Sequence, residues 1–236
     1  MPWREVLAKH FPKAITVDDL AKRLRIAAEE HGLSQDNVLF AHALCRDELN
    51  TPTVMRFAED WGHYFSLAGL GGYPSAGRTG VGAYASHLPE GGTLLVVYGP
   101  HIGIDMADTL GMAQRAGIKE STAACGALLS FRAKLADDHG YYPADNPMDV
   151  EQVGLERALL KELHRHPDLS LIDAAYAAVH SAVEELFPAS LYPRQVRVGG
   201  VLVNTPGSDW DYFHVRHAVH YREPEPMEDL LDEIVG

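Results

Sequence analysis

The sequence predicts an α/β fold: a mostly parallel central sheet flanked by helices, with N-terminal helices and a C-terminal hairpin. Three observations predict it. Val38–Leu44 and Thr93–Tyr98 are apolar at both parities and bounded by turn residues, the pattern of strands buried on both faces. Segments of helical period precede, separate and follow these strands. Val196–Val203 and Tyr212–Tyr221 flank Thr205-Pro206-Gly207-Ser208-Asp209, which reads as an antiparallel hairpin around a turn. At 236 residues the chain fits one domain. It divides into a helical cover over 1–35, a site-bearing core over 36–140, and helices, hairpin and acidic tail over 141–236.

Taken in order, Trp3, Val6, Leu7, His10 and Phe11 fall at helical spacing. Thr16 reads as an N-cap with Asp19 three residues on, and Gly32 as the stop of that helix. After the first strand, Pro52 suits a helix start. Phe57, Ala58, Trp61, Tyr64 and Phe65 extend a helical period to about Leu67. Gly69 to Gly82 holds six glycines in fourteen residues, so the backbone turns tightly or approaches something closely. It spells neither a phosphate loop nor a dinucleotide fingerprint, and it reads as a structured substrate loop carrying Arg78. The second strand ends at Gly99-Pro100. A short helix is expected over Met106–Ala116, and a longer one capped by Ser121 or Thr122 runs to about Asp137. Val150–Leu163 and Leu171–Leu186 read as helices, Pro188 and Pro193 bracket an exit loop, and the tail carries a short helix around Met227–Ile234.

Composition excludes several classes. A formal net charge of −13 argues against a nucleic-acid surface, whose affinity rests on Lys and Arg at phosphates. Apolar runs fall short of a membrane span. The N-terminus has no basic segment followed by an apolar one, so a cytoplasmic location is expected, or an organellar stroma in a eukaryote. Two cysteines do not make a disulfide framework.

Those two cysteines, with one histidine, carry the chemistry. Cys45 follows the first strand, His101 the second, and Cys125 lies in the first turn of a helix, whose dipole favours a thiolate. Ligands gather outside the C-terminal ends of parallel strands. The three side chains are a candidate zinc site with a fourth position open for water. Asp47 lies close enough to orient that water, and Arg78 to hold Asp47 ionised through a fork of hydrogen bonds. The same residues also allow a blander reading, with the cysteines as small buried hydrophobes, His101 as a strand-end cap and Arg78 as a surface arginine. Tyr73, Tyr84 and Tyr98 are candidates to line an apolar pocket. His214, His217 and His220, and the pair His164 and His166, could each bind metal but read first as surface imidazoles.

Three stretches carry a resemblance: Cys45-Arg46-Asp47-Glu48-Leu49-Asn50, Gly71-Gly72-Tyr73-Pro74-Ser75-Ala76-Gly77-Arg78-Thr79-Gly80 and Tyr98-Gly99-Pro100-His101-Ile102-Gly103-Ile104. In this order they resemble the limiting-CO2-inducible B protein family, which includes theta-class carbonic anhydrases; the similarity covers about Val38 to Leu135. The resemblance implies a beta-carbonic-anhydrase-like fold and a zinc ion on Cys45, His101 and Cys125. It implies reversible hydration of CO2 to bicarbonate by a zinc-bound hydroxide, and an Asp–Arg pair beside the metal. Asp47 matches the aspartate; Arg78 is the candidate arginine, with Arg46 as the fallback. Position 49 is leucine, so the Cys-x-Asp-x-Arg pattern of the beta class is not met. His42 or His63 is a candidate proton relay. A homodimer is the family expectation, with Val196–Tyr221 as its candidate contact. Two rival readings remain: a zinc-bearing CO2 or bicarbonate sensor or scaffold without turnover, and a thiol enzyme with Cys125 as nucleophile.

Overall fold

The computed structural model describes residues 2–206 and 211–236; the last part of the 205–209 turn, from Gly207, lies outside the described residues. The chain opens with helix α1 (Pro2–His10), strand β1 (Ile15–Thr16) and helix α2 (Val17–Glu30). Thr16 caps α2 by accepting from the Asp19 N–H, and Gly32, at φ +72°, turns the chain away. Strand β2 (Val38–Leu44) leads to helix α3 (Thr51–Trp61). This helix stops earlier than its period suggests. Gly62 takes φ +78°, a conformation open to glycine at no steric cost, and Tyr64–Ser66 becomes strand β3, parallel to β2. The aromatic residues that mimic a helical stripe therefore sit on the sheet.

The glycine stretch is half turn and half helix: a 3-10 turn at Leu70–Gly72, then helix α4 (Gly77–Ala85). Strands β4 (Thr93–Gly99) and β5 (His101–Gly103) follow, and both pair in parallel with the long strand β8 (Arg194–Asn204). No helix forms over 106–116. Asp105 instead accepts from the Ala107 and Thr109 N–H groups, the side-chain competition that disfavours helix. The chain then makes a small antiparallel hairpin of β6 (Met112–Ala113) and β7 (Thr122–Ala123). Helix α5 (Gly126–Asp137) begins just after it, with Cys125 as its N-cap residue. Helices α6 (Val150–Arg165) and α7 (Leu171–Leu186) precede β8, strand β9 (Tyr212–Arg222), strand β10 (Glu228–Asp229) and helix α8 (Leu231–Val235).

The main sheet runs β1-β9-β8-β4-β2-β3, parallel from β8 to β3 and antiparallel at β9 and β1. The expected hairpin is present as β8 and β9. It is flanked on both sides: β4 and β5 pair β8, while β1 and β10 pair β9 at Tyr212–Phe213 and Val219–His220. Alternation along β4 divides the core. Leu95 and Val97 pack with Leu20 and Leu24 of α2 and Phe57 of α3 on one face. Leu94, Val96 and Tyr98 pack with Tyr84 of α4 and Val179 and Val183 of α7 on the other. Each such fully buried aliphatic side chain contributes roughly 1.5–3 kcal/mol. Two close approaches fix the strand ends. A Cβ on Gly99 (φ +151°) would lie 1.8 Å from the Gly200 carbonyl oxygen, and one on Gly72 (φ +78°) 2.2 Å from that of Gly99. Glycine at both places lets the 70–72 turn press against the end of β4, next to His101.

Candidate metal centre

Three chain breaks converge beside that contact. Cys45 is the first residue past β2, His101 opens β5 after the Gly99-Pro100 break in β4, and Cys125 joins β7 to α5. All three are buried, with relative exposures of 4%, 0% and 3%. The sulfurs are 3.7 Å apart, and one donor atom from each residue lies within 4.8 Å of the others. The Gly71 N–H donates to Cys45 Sγ at 3.2 Å, so the glycine turn covers the sulfur.

The histidine is aimed by a chain of amides. Its Nδ1 lies 2.7 Å from Asn204 Oδ1. Asn204 Nδ2 donates to Asp211 Oδ2 and to Asn50 Oδ1, which fixes Oδ1 as the acceptor toward the ring. Nδ1 therefore carries the proton. Asn50 Nδ2 closes the circuit by donating to the Cys45 carbonyl. This leaves Nε2 buried without a hydrogen-bond partner, a costly state for a polar atom. Two sulfurs and an orphaned imidazole nitrogen are the donor set zinc takes in three-ligand sites, and the residues fit that ion.

The two sulfurs and the ring shift one another's protonation. Cys125 is lowered to about 7, first by its hydrogen bond with Cys45 and, against burial, by the Leu128 and Ala127 N–H groups at the start of α5. Cys45 is raised, first by that same hydrogen bond and then by burial. Burial pushes His101 down, yet Cys45, Asn204 and Asp47 outweigh it and raise the ring.

Asp47 stands beside this set. Its Oδ1 accepts from the Leu49 N–H at 3.2 Å, and its Oδ2 lies 3.6 Å from His101 Nε2. The arginine at Asp47 is Arg115. Its Nη2 donates to Asp47 Oδ2 at 2.7 Å, its Nε to Glu48 Oε1 at 2.6 Å, and its Nη1 to Thr122 Oγ1 at 2.7 Å and the Ala123 carbonyl at 3.3 Å. The hairpin explains the placement. Met112 pairs with Ala123 and Ala113 with Thr122, so the turn between β6 and β7 carries Arg115 back to the strand that leads into Cys125.

Arg78 is elsewhere. It lies on α4, is exposed, and faces Glu185 of α7 at 3.3 Å. Helix formation over 77–85 is the reason: it turns the guanidinium to the outer surface. Arg46 also misses Asp47, bonding Glu151 and the Ala68 carbonyl. Arg78→Ala is accordingly expected to change neither zinc content nor turnover by more than about twofold, as for an ordinary surface position; a tenfold loss in a steady-state assay would return Arg78 to the site.

A cavity of about 360 Å³ reaches the cluster. Ile102, Leu110, Leu128 and Ile172 line it together with His101 and Cys125. Two of the tyrosines proposed for that role serve the core: Tyr84 Oη lies between the Leu39 and Leu95 carbonyls, and Tyr98 Oη meets His180 Nδ1 at 2.8 Å; Tyr73 lines a separate pocket with Pro74 and Glu151. His42 packs inside β2 against Tyr64. Burial pushes it down to about 4, far from the near-neutral value a relay needs.

Over residues 14–222 the chain matches the sequence family described as limiting CO2-inducible proteins B/C beta carbonic anhydrases. The crystal structure of PtLCIB4, a homolog of the limiting CO2-inducible protein LCIB, is similar at a TM-score of 0.84 and 28% identity, covering 96% of this chain and 98% of that one. A mutant of PtLCIB4 is similar at 0.78 and 30% identity over the same shares. The crystal structure of LCIB itself shares the fold at 0.77 and 23% identity, over 95% and 97% of the two chains. No curated protein matches the sequence.

Proposed function

Because the chain belongs to the limiting CO2-inducible protein B/C family of beta carbonic anhydrases, we propose that it hydrates CO2 reversibly to bicarbonate at a zinc ion held by Cys45, His101 and Cys125. One observation carries the reading: the orphaned His101 Nε2 and two sulfurs meet next to an aspartate held by an arginine. Zinc bound there supplies Lewis acidity, bringing the pKa of a water in the open position toward neutrality.

The protein's own groups do the rest. Cys45 and Cys125 as thiolates and His101 as neutral imidazole would balance the charge of a divalent ion and leave little net charge to hold an anionic product. Asp47 Oδ2 accepts a hydrogen bond from the attacking oxygen, turning a lone pair toward the carbon of CO2. Arg115 fixes that carboxylate by one charge-assisted bond to Oδ2, its other nitrogens being tied to Glu48, Thr122 and the Ala123 carbonyl. The Ile102, Leu110 and Leu128 walls offer apolar surface to a neutral substrate, in a cavity that Arg132, Asp173 and Arg216 also line.

The test separates the metal from the chemistry. Asp47→Asn keeps the shape and the bond from Leu49 but removes the charge. At unchanged zinc content kcat for CO2 hydration is expected to fall roughly 10²-fold. A variant with full wild-type kcat would remove Asp47 from the reaction. Zinc bound by the wild type with no hydration at all would leave the site standing and remove the enzyme.

A further inference from the structure

Three of the histidines that read as surface groups in the sequence, His214, His217 and His220, are buried or half-buried, and His220 belongs to a second cluster. His220 of β9 is 3% exposed and its Nε2 has no hydrogen-bond partner. Glu228 of β10 is its direct cross-strand partner in the antiparallel ladder, so the two side chains leave the sheet on the same face. His31, the C-cap residue of α2, lies over them: its ring meets that of His220 edge-on at 5.0 Å, and its Nε2 is 3.5 Å from Glu228 Oε2. One donor atom from each residue lies within 4.8 Å of the other two.

We propose that His31, His220 and Glu228 form a second metal site, for a divalent ion of the zinc class, that fastens the C-terminal segment to α2. Zinc bonds of about 2.0–2.1 Å in a tetrahedron put neighbouring ligand atoms about 3.3 Å apart, and the His31–Glu228 separation is already close to that. Two imidazoles and one carboxylate are a recognised zinc donor set. The metal needs neutral imidazole. The ladder supplies rigidity, and the bonds from Arg23 to the Ile234 and Val235 carbonyls already hold α8 against α2, so binding orders little that is free. The other histidine–carboxylate group, His180, Glu184 and His217, is a poorer receptor: Arg197 neutralises Glu184 at 2.9 Å and Tyr98 occupies His180.

The experiment counts zinc on the whole chain by equilibrium dialysis and metal analysis. His31→Ala and Glu228→Gln, both at more exposed positions than His220, are compared with the wild type and with Cys45→Ser. The wild type is expected to bind one equivalent more than either His31→Ala or Glu228→Gln, with micromolar or tighter affinity. Cys45→Ser is expected to retain this equivalent, and CO2 hydration is expected to be unchanged in the His31 and Glu228 variants. The outcome does not depend on the catalytic reading, because the count is a difference between chains that all keep the cysteine centre. Equal zinc in the wild type and both variants would overturn the proposal, as would an extra equivalent held only at millimolar zinc.

Discussion

Cys45→Ser is expected to remove one equivalent of zinc and to lower CO2 hydration by roughly 10³-fold or more, the scale of losing Lewis-acid activation of water. A hydroxyl is a poor zinc ligand at neutral pH, and the two donors left, His101 Nε2 and Cys125 Sγ, do not hold the ion alone. The replacement is nearly isosteric. It keeps a group that can accept from the Gly71 N–H, so the fold is expected to survive with a stability change of about 1–2 kcal/mol. Metal analysis, activity and a thermal melt on one preparation check all three. Unchanged zinc with lost activity would mean that the sulfur acts on the reaction and not on the metal. The same variant bears on the thiol-enzyme reading. If Cys125 were a nucleophile, removing its neighbour would alter its alkylation rate in metal-free protein while leaving the turnover it supports largely intact.

The second large effect is expected at Arg115. Arg115→Ala leaves Asp47 with the Leu49 N–H as its remaining protein partner and frees Glu48. Loss of such an outer partner typically costs 10–100-fold in activity, and that range is expected in kcat with KM nearly constant, since the guanidinium does not line the substrate cavity. Zinc content should hold, because Arg115 touches no sulfur and no imidazole. Arg115→Lys restores charge without the fork and is expected to recover only part of the loss. A fall in zinc, or a change confined to KM, would show that Arg115 shapes the hairpin and not the reaction. The arginine absent at position 49 is thus supplied from another segment.

How far the sequence discloses this arrangement follows from the range of the forces involved. The buried strands β2 and β4 are visible because burial on both faces leaves a continuous apolar run. The cap at Thr16 is visible because a cap is a contact across three residues. Cys45, His101 and Cys125 are findable as residues that follow apolar strands or open a helix. What the sequence hides depends on distant partners. Tyr64 and Phe65 carry helical spacing, and only the open side of β2 makes them a strand. Arg78 stands in the glycine stretch that touches Cys45, yet its helix turns it outward. Arg115 reaches Asp47 across 68 residues through a hairpin of two-residue strands, too short to show a period. The sequence signal that bore on it was negative, the leucine at position 49 beside an aspartate that needs a cation. His220 looks like a surface imidazole because its alternation in β9 is plain, while the strand that covers it comes from the tail.

The most direct measurement is the rate of oxygen-18 exchange between labelled CO2 and water, followed by mass spectrometry on the purified chain at measured zinc occupancy. Exchange well above the uncatalysed rate, rising with occupancy of the cysteine centre and absent from Cys45→Ser, is the predicted result. Exchange no faster than that of Cys45→Ser at full zinc occupancy would contradict the account.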